Sequence, residues 1–246
     1  MYNKKLSIYY DTLYKDKDYI SECNFIKNHV RKNDSLLDVG CGTLNHSILL
    51  SESFDTITAI DDSEEMIEVA KNKNTFSNID VKNVKLSEMD ENNKFGSVIS
   101  MFNVVNHIES IFDLVSFFEK ISSLIVKDGT FIFDCWNGVA CTIEKPNRFM
   151  KKEIHEGYHT ILSETQTTTD LFNSMSIMYT KIEVFDDVSK VDEFEYILRQ
   201  KLWTPDLLKQ LLTKSGFSIE KIIPKFDFSF DAKENDYKLT FICHKL

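Results

Sequence analysis

Residues 35–43, Ser-Leu-Leu-Asp-Val-Gly-Cys-Gly-Thr, restrict the fold more than any other stretch of the chain. Ser35–Val39 is short and apolar enough for a buried strand, Gly40-Cys41-Gly42 forms a tight turn, and Ile48, Leu49 and Leu50 belong to a helix beyond it. A strand that enters a helix through two glycines opens a βαβ unit, and the pattern recurs. Thr56–Ile60 is a second strand, followed by Asp61, Asp62 and a helix with Ser63 as its N-cap and Met66, Ile67 and Ala70 at helical spacing. Ile79–Leu86 and Ser97–Phe102 read as further strands, Ile111–Ile125 as an amphipathic helix, and Asp128-Gly129 as the turn into a fifth strand, Thr130–Asp134. Strands alternating with helices predict an α/β fold, a doubly wound and mostly parallel sheet covered on both faces.

After Asp134 the period changes. Residues 140–201 alternate at period two, as in Thr165–Thr169 and Ser176–Val184, and predict an antiparallel β-sheet inserted into the domain formed by 1–139 and 202–246. Thr204-Pro205-Asp206 then starts a helix carrying Leu207, Leu208, Leu211 and Leu212, and Gly216 stops it. Phe217–Ile223 and Leu239–Cys243 bring the main sheet to seven strands as an antiparallel edge hairpin. The inserted sheet is of a size to close over a substrate, to join two copies as a homodimer, or to do both.

Charge and composition exclude several classes of partner. The net charge of −10 argues against a nucleic-acid surface, which needs clustered Lys and Arg. No apolar run approaches the ~20 residues of a membrane span, and Met1–Lys5 leads into tyrosines and charges rather than a secretory apolar segment. The five cysteines are scattered, with no CxxC and no zinc spacing, so reduced thiols, no metal site and a cytoplasmic location are expected. Glycine is scarce. Seven occur, where average usage implies about seventeen, so each marks a place where a side chain does not fit.

The Gly40-Cys41-Gly42 turn lets a ligand approach backbone at a helix N-terminus. Asp61 ends the second strand, where a carboxylate can accept hydrogen bonds from both hydroxyls of a ribose. Two cofactor classes suit that arrangement. A dinucleotide fingerprint needs a third glycine, and none follows through Ser47. Asp38, directly before the turn, suits a positively charged ligand better than a pyrophosphate. S-adenosylmethionine, with an ammonium and a sulfonium and no phosphate, is therefore favoured over a nicotinamide dinucleotide.

Leu36–Thr43 and Ala59–Met66 resemble the first two motifs of class I S-adenosylmethionine-dependent methyltransferases. Ser87-Glu88-Met89 resembles their adenine-contacting Gly-Asp-Met triplet, and Phe95-Gly96-Ser97-Val98 the Phe-Asp-x-Val of their fourth strand. More narrowly, the chain is similar to small bacterial methyltransferases of nucleotide-linked amino sugars. That similarity rests on Tyr10–Tyr14 with Asp18-Tyr19, Ser100–His107, Phe133–Gly138, Glu195-x-x-x-Arg199, Thr204–Leu208 and Ser215–Phe217.

The resemblance implies a Rossmann-like fold, S-adenosylmethionine as cofactor, and a small polar acceptor. It places Asp38 on the methionine ammonium, Gly40, Cys41 and Gly42 in the open turn, and Asp61 on the ribose. Asp62, Glu88 and Met89 would flank the adenine, Met101 and Phe102 the methionine portion. Tyr14 and Tyr19 would close over the cofactor as a lid or serve as packing. On the acceptor side stand Tyr10, Asn103, Trp136 as a stacking ring, Asn137 as a hydrogen-bonding amide, and Arg199 as either a phosphate grip or the salt-bridge partner of Glu195. His107 is the candidate base, with a helix-capping role as the alternative. His155 and His159 would reach the acceptor only if the inserted sheet closes. Three departures stand out: Leu44 for a third glycine, Gly96 for an aspartate, and Glu88 for an aspartate. An unrelated small acceptor and a non-catalytic cofactor-binding module remain as other readings.

Overall fold

The computed structural model describes residues 4–30, 34–146 and 148–246; the opening tripeptide Met1–Asn3, part of the N-terminal reading above, lies outside them. Helices α1 (Lys4–Leu13) and α2 (Tyr19–His29) precede strand β1 (Ser35–Val39). Then follow α3 (Asn45–Leu50), β2 (Thr56–Asp61), α4 (Glu64–Lys73), β3 (Ile79–Asn83), β4 (Phe95–Ser100), α5 (Val104–His107), α6 (Ile111–Leu124), β5 (Ile125–Trp136) and α7 (Gly138–Ile143). Strands β6 (Arg148–Glu156), β7 (His159–Asp170), β8 (Met175–Asp186) and β9 (Ser189–Lys201) come next, and α8 (Pro205–Lys214), β10 (Phe217–Pro224) and β11 (Lys238–Lys245) complete the chain.

The main sheet has seven strands in the order β10-β11-β5-β4-β1-β2-β3. Strands β3, β2, β1, β4 and β5 are parallel, and β11 joins β5 antiparallel with β10 at the edge. The order reverses beside β1, so β1 and β4 diverge into a crevice at their carboxyl ends, where ligands bind in open α/β sheets. One face of the sheet packs Phe131, Phe133 and Phe217 against Phe118 of α6 and Leu208 of α8. The other packs Leu36, Ile57 and Ile99 against Ile26 of α2, Leu50 of α3 and Ile67 of α4. No helix among the described residues is long and apolar enough to cross a membrane.

The second sheet, β6-β7-β8-β9, is antiparallel throughout. Its inner face buries Ile154, Ile161, Ile182, Val184 and Phe194 against Leu6 and Leu13 of α1. Helix α1 was not among the elements the sequence predicted. Its buried Leu6, Tyr10 and Leu13 fall at helical spacing, but exposed Ile8 and part-buried Tyr9 blur the period. Two strands also differ in length. β3 stops at Asn83, because Leu86–Glu88 turns as a 3₁₀ helix, and β5 begins early, at Ile125, where it pairs with Phe95 across a register shift.

Gly96, where relatives of this pattern carry aspartate, is compensated locally. A Cβ there would lie 1.7 Å from the Asp34 carboxyl, which occupies the space a side chain would take. Asp34 Oδ1 accepts the Ser35 N–H at 2.7 Å, and the Gly96 N–H donates to Ser35 Oγ at 3.1 Å.

Candidate active site

The turn after β1 is tied to β2 by its backbone. The N–H groups of Gly40 and Cys41 both donate to the Ile60 carbonyl, at 2.9 and 3.0 Å. Gly40 and Gly42 have φ of +75° and +53°. A Cβ at Gly40 would come within 2.6 Å of Val104 Cγ2, whereas one at Gly42 would meet nothing within 4 Å. Gly42 thus faces open space. Leu44 follows with φ +77°, fully buried, so leucine holds the left-handed conformation that a third glycine would adopt freely.

Asp61 sits beside that open space. Its Oδ2 accepts the Gly42 N–H and its Oδ1 the Ser63 N–H, both at 2.9 Å. Burial raises its pKa, and those two backbone donors work against the rise. Asp38 is placed differently. It is buried beneath the turn, accepts the Ser47 hydroxyl at 2.6 Å, and has its pKa raised by burial.

Two cavities meet at the carboxyl ends of β4 and β5. The larger, about 670 Å³, is lined by Gly40, Gly42, Asp61, Asp62, Ser87, Met101 and Tyr10, among others. The second, about 320 Å³, lies between the domain and the inner face of the inserted sheet. Tyr14, Asn103, Trp136 and Lys238 line it on one side, and Thr165, Thr180, Tyr196 and Gln200 on the other. Phe102 and His107 line both. They are the partition.

That partition is held by strained backbone and buried amides. Phe102 and Asn103 have φ of +68° and +64°, a conformation that costs a non-glycine residue about 1–2 kcal/mol. The Asn103 N–H donates to Asp134 Oδ1 at 2.9 Å, an acid whose pKa burial raises. Fully buried Asn106 accepts the Trp136 N–H at 2.8 Å and donates to the Lys201 carbonyl at 2.7 Å, joining β5 to the end of β9. His107, one residue on, is hydrogen-bonded to the backbone of Arg199, and burial lowers its pKa below 6.5. It is neutral at neutral pH, the state a proton acceptor needs.

Not every expected site residue reaches a cavity. Asn137 does not: its side chain caps α7 through the Val139 N–H and donates to the carbonyls of Glu234 and Asp236, so both ends of the amide are engaged structurally. Arg199 is exposed and pairs with Glu109 at 3.0 Å, not with Glu195; residues four apart on a strand are about 13 Å apart and cannot form the helical pair. Glu88 is exposed and turns back to accept the Lys85 N–H at 3.2 Å. Met89 belongs to the apolar core and Cys41 is buried outside the lining. Tyr19 packs edge-on against His46 with Lys17 over its ring, while Tyr14 meets Phe102 edge-on at 5.0 Å, with Tyr10 against it. His155 is exposed beside Glu153, and neither it nor His159 lines a cavity.

Other lining residues escaped the sequence reading. Met66 reaches the larger cavity although it reads as helix core, and so do Val84, Leu86 and Phe117. Lys238, Tyr196 and Gln200 in the smaller cavity had no local motif to mark them.

The sequence model of a family described as a methyltransferase domain matches residues 30–202. A Streptomyces fradiae protein named dTDP-3-amino-3,6-dideoxy-alpha-D-glucopyranose N,N-dimethyltransferase is 26% identical over 233 residues, 89% of this chain and 86% of that one. An S-adenosylmethionine-dependent methyltransferase from Clostridium acetobutylicum is similar in structure, with a TM-score of 0.80 at 21% identity over 99% of this chain and 98% of the other. The amino pentose methyltransferase CalS10 from Micromonospora echinaspora, solved with S-adenosylmethionine bound, gives 0.78 at 15% identity over 100% and 98%.

Proposed function

From the premise that this chain belongs to the methyltransferase-domain family and is an S-adenosylmethionine-dependent methyltransferase, we propose that it methylates an amino or hydroxyl group of a nucleotide-linked sugar. The observation that carries this reading is the pair of cavities that share Phe102 and His107. One suits the cofactor, and the other is roofed by a sheet that sets the hydroxyls of Ser163, Thr165, Thr180 and Tyr196 and the amide of Gln200 among apolar side chains.

The residues present fit the cofactor. Open space over Gly42, a buried acid at Asp61 and apolar walls at Met66, Leu86 and Phe117 suit a ribose and a base. Asp38, behind the turn, supplies negative potential toward the ammonium end rather than a direct contact. S-adenosylmethionine supplies the electrophilic methyl group. The protein's part is to align the acceptor and keep water out. Phe102, fixed by its left-handed turn and by Tyr14, walls the junction. Neutral His107, oriented by the Arg199 backbone, accepts the proton the acceptor must lose. Trp136 offers a ring for stacking on sugar or base.

A chain of hydroxyls supports the choice of a sugar. Tyr14 and Tyr196 are hydrogen-bonded, Tyr196 is bonded to Thr180, and Thr180 to Thr165 at 3.0 Å. Such a row can exchange hydrogen bonds with a polyhydroxylated ligand. Isothermal titration with S-adenosylmethionine, followed by incubation with a panel of dTDP-linked amino and deoxy sugars, tests the proposal. Loss of cofactor affinity in Asp61→Ala and methylation of at least one sugar are expected. Turnover of an unrelated metabolite with none of the sugars methylated would refute it.

A further inference from the structure

Helix α1 commits much of its surface to the inserted sheet. Leu6 and Leu13 are buried in the core of that sheet, and Tyr9 stacks on Phe194 with ring centroids 5.7 Å apart. Thr12 hydrogen-bonds Glu156, and Lys5 pairs with Asp192. Asp192 lies about 30 Å along β9 from Lys201, whose carbonyl accepts from Asn106 of α5. The sheet that roofs the smaller cavity is thus held at its base by α5 and at its far end by α1.

Toward the main domain, one carboxylate on α1 gathers three donors. Asp11 Oδ1 accepts the Thr43 hydroxyl at 2.6 Å and the Asn45 amide at 2.9 Å, while Oδ2 pairs with Lys73 of α4 at 2.7 Å. Lys73 also donates to Asn45 Oδ1 at 2.5 Å. Burial acts to raise the Asp11 pKa, but the hydrogen bonds from Lys73, Thr43 and Asn45 outweigh it and hold the carboxyl below its ordinary value. Thr43 directly follows Gly42, which lines the larger cavity. Within one helical turn of Asp11, Tyr10 lines the larger cavity and Leu13 the smaller.

We propose that Asp11 is a positioning residue, tying the turn that receives the cofactor to the far end of the roof over the acceptor cavity, so that filling the first cavity stiffens the wall of the second. No displacement of the sheet is required. A bound cofactor restrains the turn, and the groups fastened to the turn share the restraint. Coupling of this kind acts in both directions, so cofactor and acceptor each strengthen the binding of the other. The proposal rests on the two-cavity reading above but on no particular acceptor, and its test needs none.

Hydrogen–deuterium exchange is measured on the full chain with and without saturating S-adenosylhomocysteine. In the wild type the ligand should slow exchange in 40–45 and, by at least about fivefold, in the roof segments 154–156 and 192–194. Asp11→Ala should keep the slowing in 40–45 and lose it in both roof segments. The Asp11 and Lys73 side chains are 39% and 31% exposed, so this variant should fold, with Tm lowered by no more than about 4 °C. Thr43→Val, which removes the hydroxyl at the turn, should weaken the roof response, and Thr43→Ser should keep it. A merely structural Asp11 would, when replaced, speed roof exchange by the same factor in both states and leave the response intact. That result, or a wild-type roof indifferent to S-adenosylhomocysteine, overturns the proposal and leaves the sugar reading standing.

Discussion

Gly42→Ala and Gly40→Ala place the same methyl group two residues apart, and the structure gives them opposite consequences. At Gly42 the new Cβ meets no protein atom within 4 Å, so the cost to the fold is the left-handed φ of +53° alone. That is about 1 kcal/mol, a drop of about 2–4 °C in Tm for a chain of this size. The same methyl enters open space beside the larger cavity, the one proposed for the cofactor. Displacing one well-packed contact worth about 1.4 kcal/mol weakens S-adenosylmethionine tenfold. At Gly40 the Cβ would lie 2.6 Å from Val104 Cγ2, adding about 1–3 kcal/mol of overpacking to the backbone strain. Differential scanning fluorimetry and isothermal titration on both variants separate the two effects. Gly42→Ala should melt nearly normally and bind at least about tenfold more weakly, and Gly40→Ala should melt lowest of the two. A Gly42→Ala protein with wild-type cofactor affinity would refute the assignment of that space to the cofactor.

Asn106→Ala leaves the Trp136 N–H and the Lys201 carbonyl unpaired, at about 1–3 kcal/mol each; thermal melts should fall by at least about 5 °C, with Asn106→Asp intermediate. Arg199→Ala breaks only an exposed pair with Glu109, so stability should change by less than about 1 kcal/mol and the acceptor KM should not move. His107 has its pKa lowered by burial. The unfolded imidazole takes up a proton first as pH falls through 6.5, so the stability this group contributes is complete above that pH and declines below it, down to the folded pKa. The kcat–pH profile at saturating acceptor should show an ascending limb centred below pH 6.5 that vanishes in His107→Gln, the stability trend being checked by urea melts at pH 5.5 and 7.5.

Features set by a few consecutive residues could be read from the chain, and features set by distant ones could not. The β1 turn, the Ser63 cap and the acid ending β2 are local, and the sequence already places Gly40, Gly42 and Asp61 at one edge, where Asp61 accepts the Gly42 N–H. Asn137 looked equally eligible, but its amide is engaged by carbonyls at 234 and 236, about a hundred residues on. Arg199 found its partner ninety positions earlier, on the loop after α5. Gln200 shows the opposite error. Its strand alternates, and Gln200 falls on the same inward face as Phe194, Tyr196 and Leu198, but a polar residue there carries no apolar mark to show it.

The scarcity of glycine acquires a physical meaning from the backbone. Among the described residues seven non-glycine positions have positive φ, including Leu44, Phe102 and Asn103 around the cavities. This chain therefore does not reserve left-handed turns for glycine and tolerates about 1–2 kcal/mol of strain at each such position. Conformation alone cannot explain why Gly40 and Gly42 are kept while Leu44, in the same turn, is not. Space can. Leu44 points into the core and is fully buried there, whereas Gly40 has Val104 against it and Gly42 has the cavity. The two glycines that remain in the turn are those where a side chain would strike Val104 at the start of α5 or enter the larger cavity.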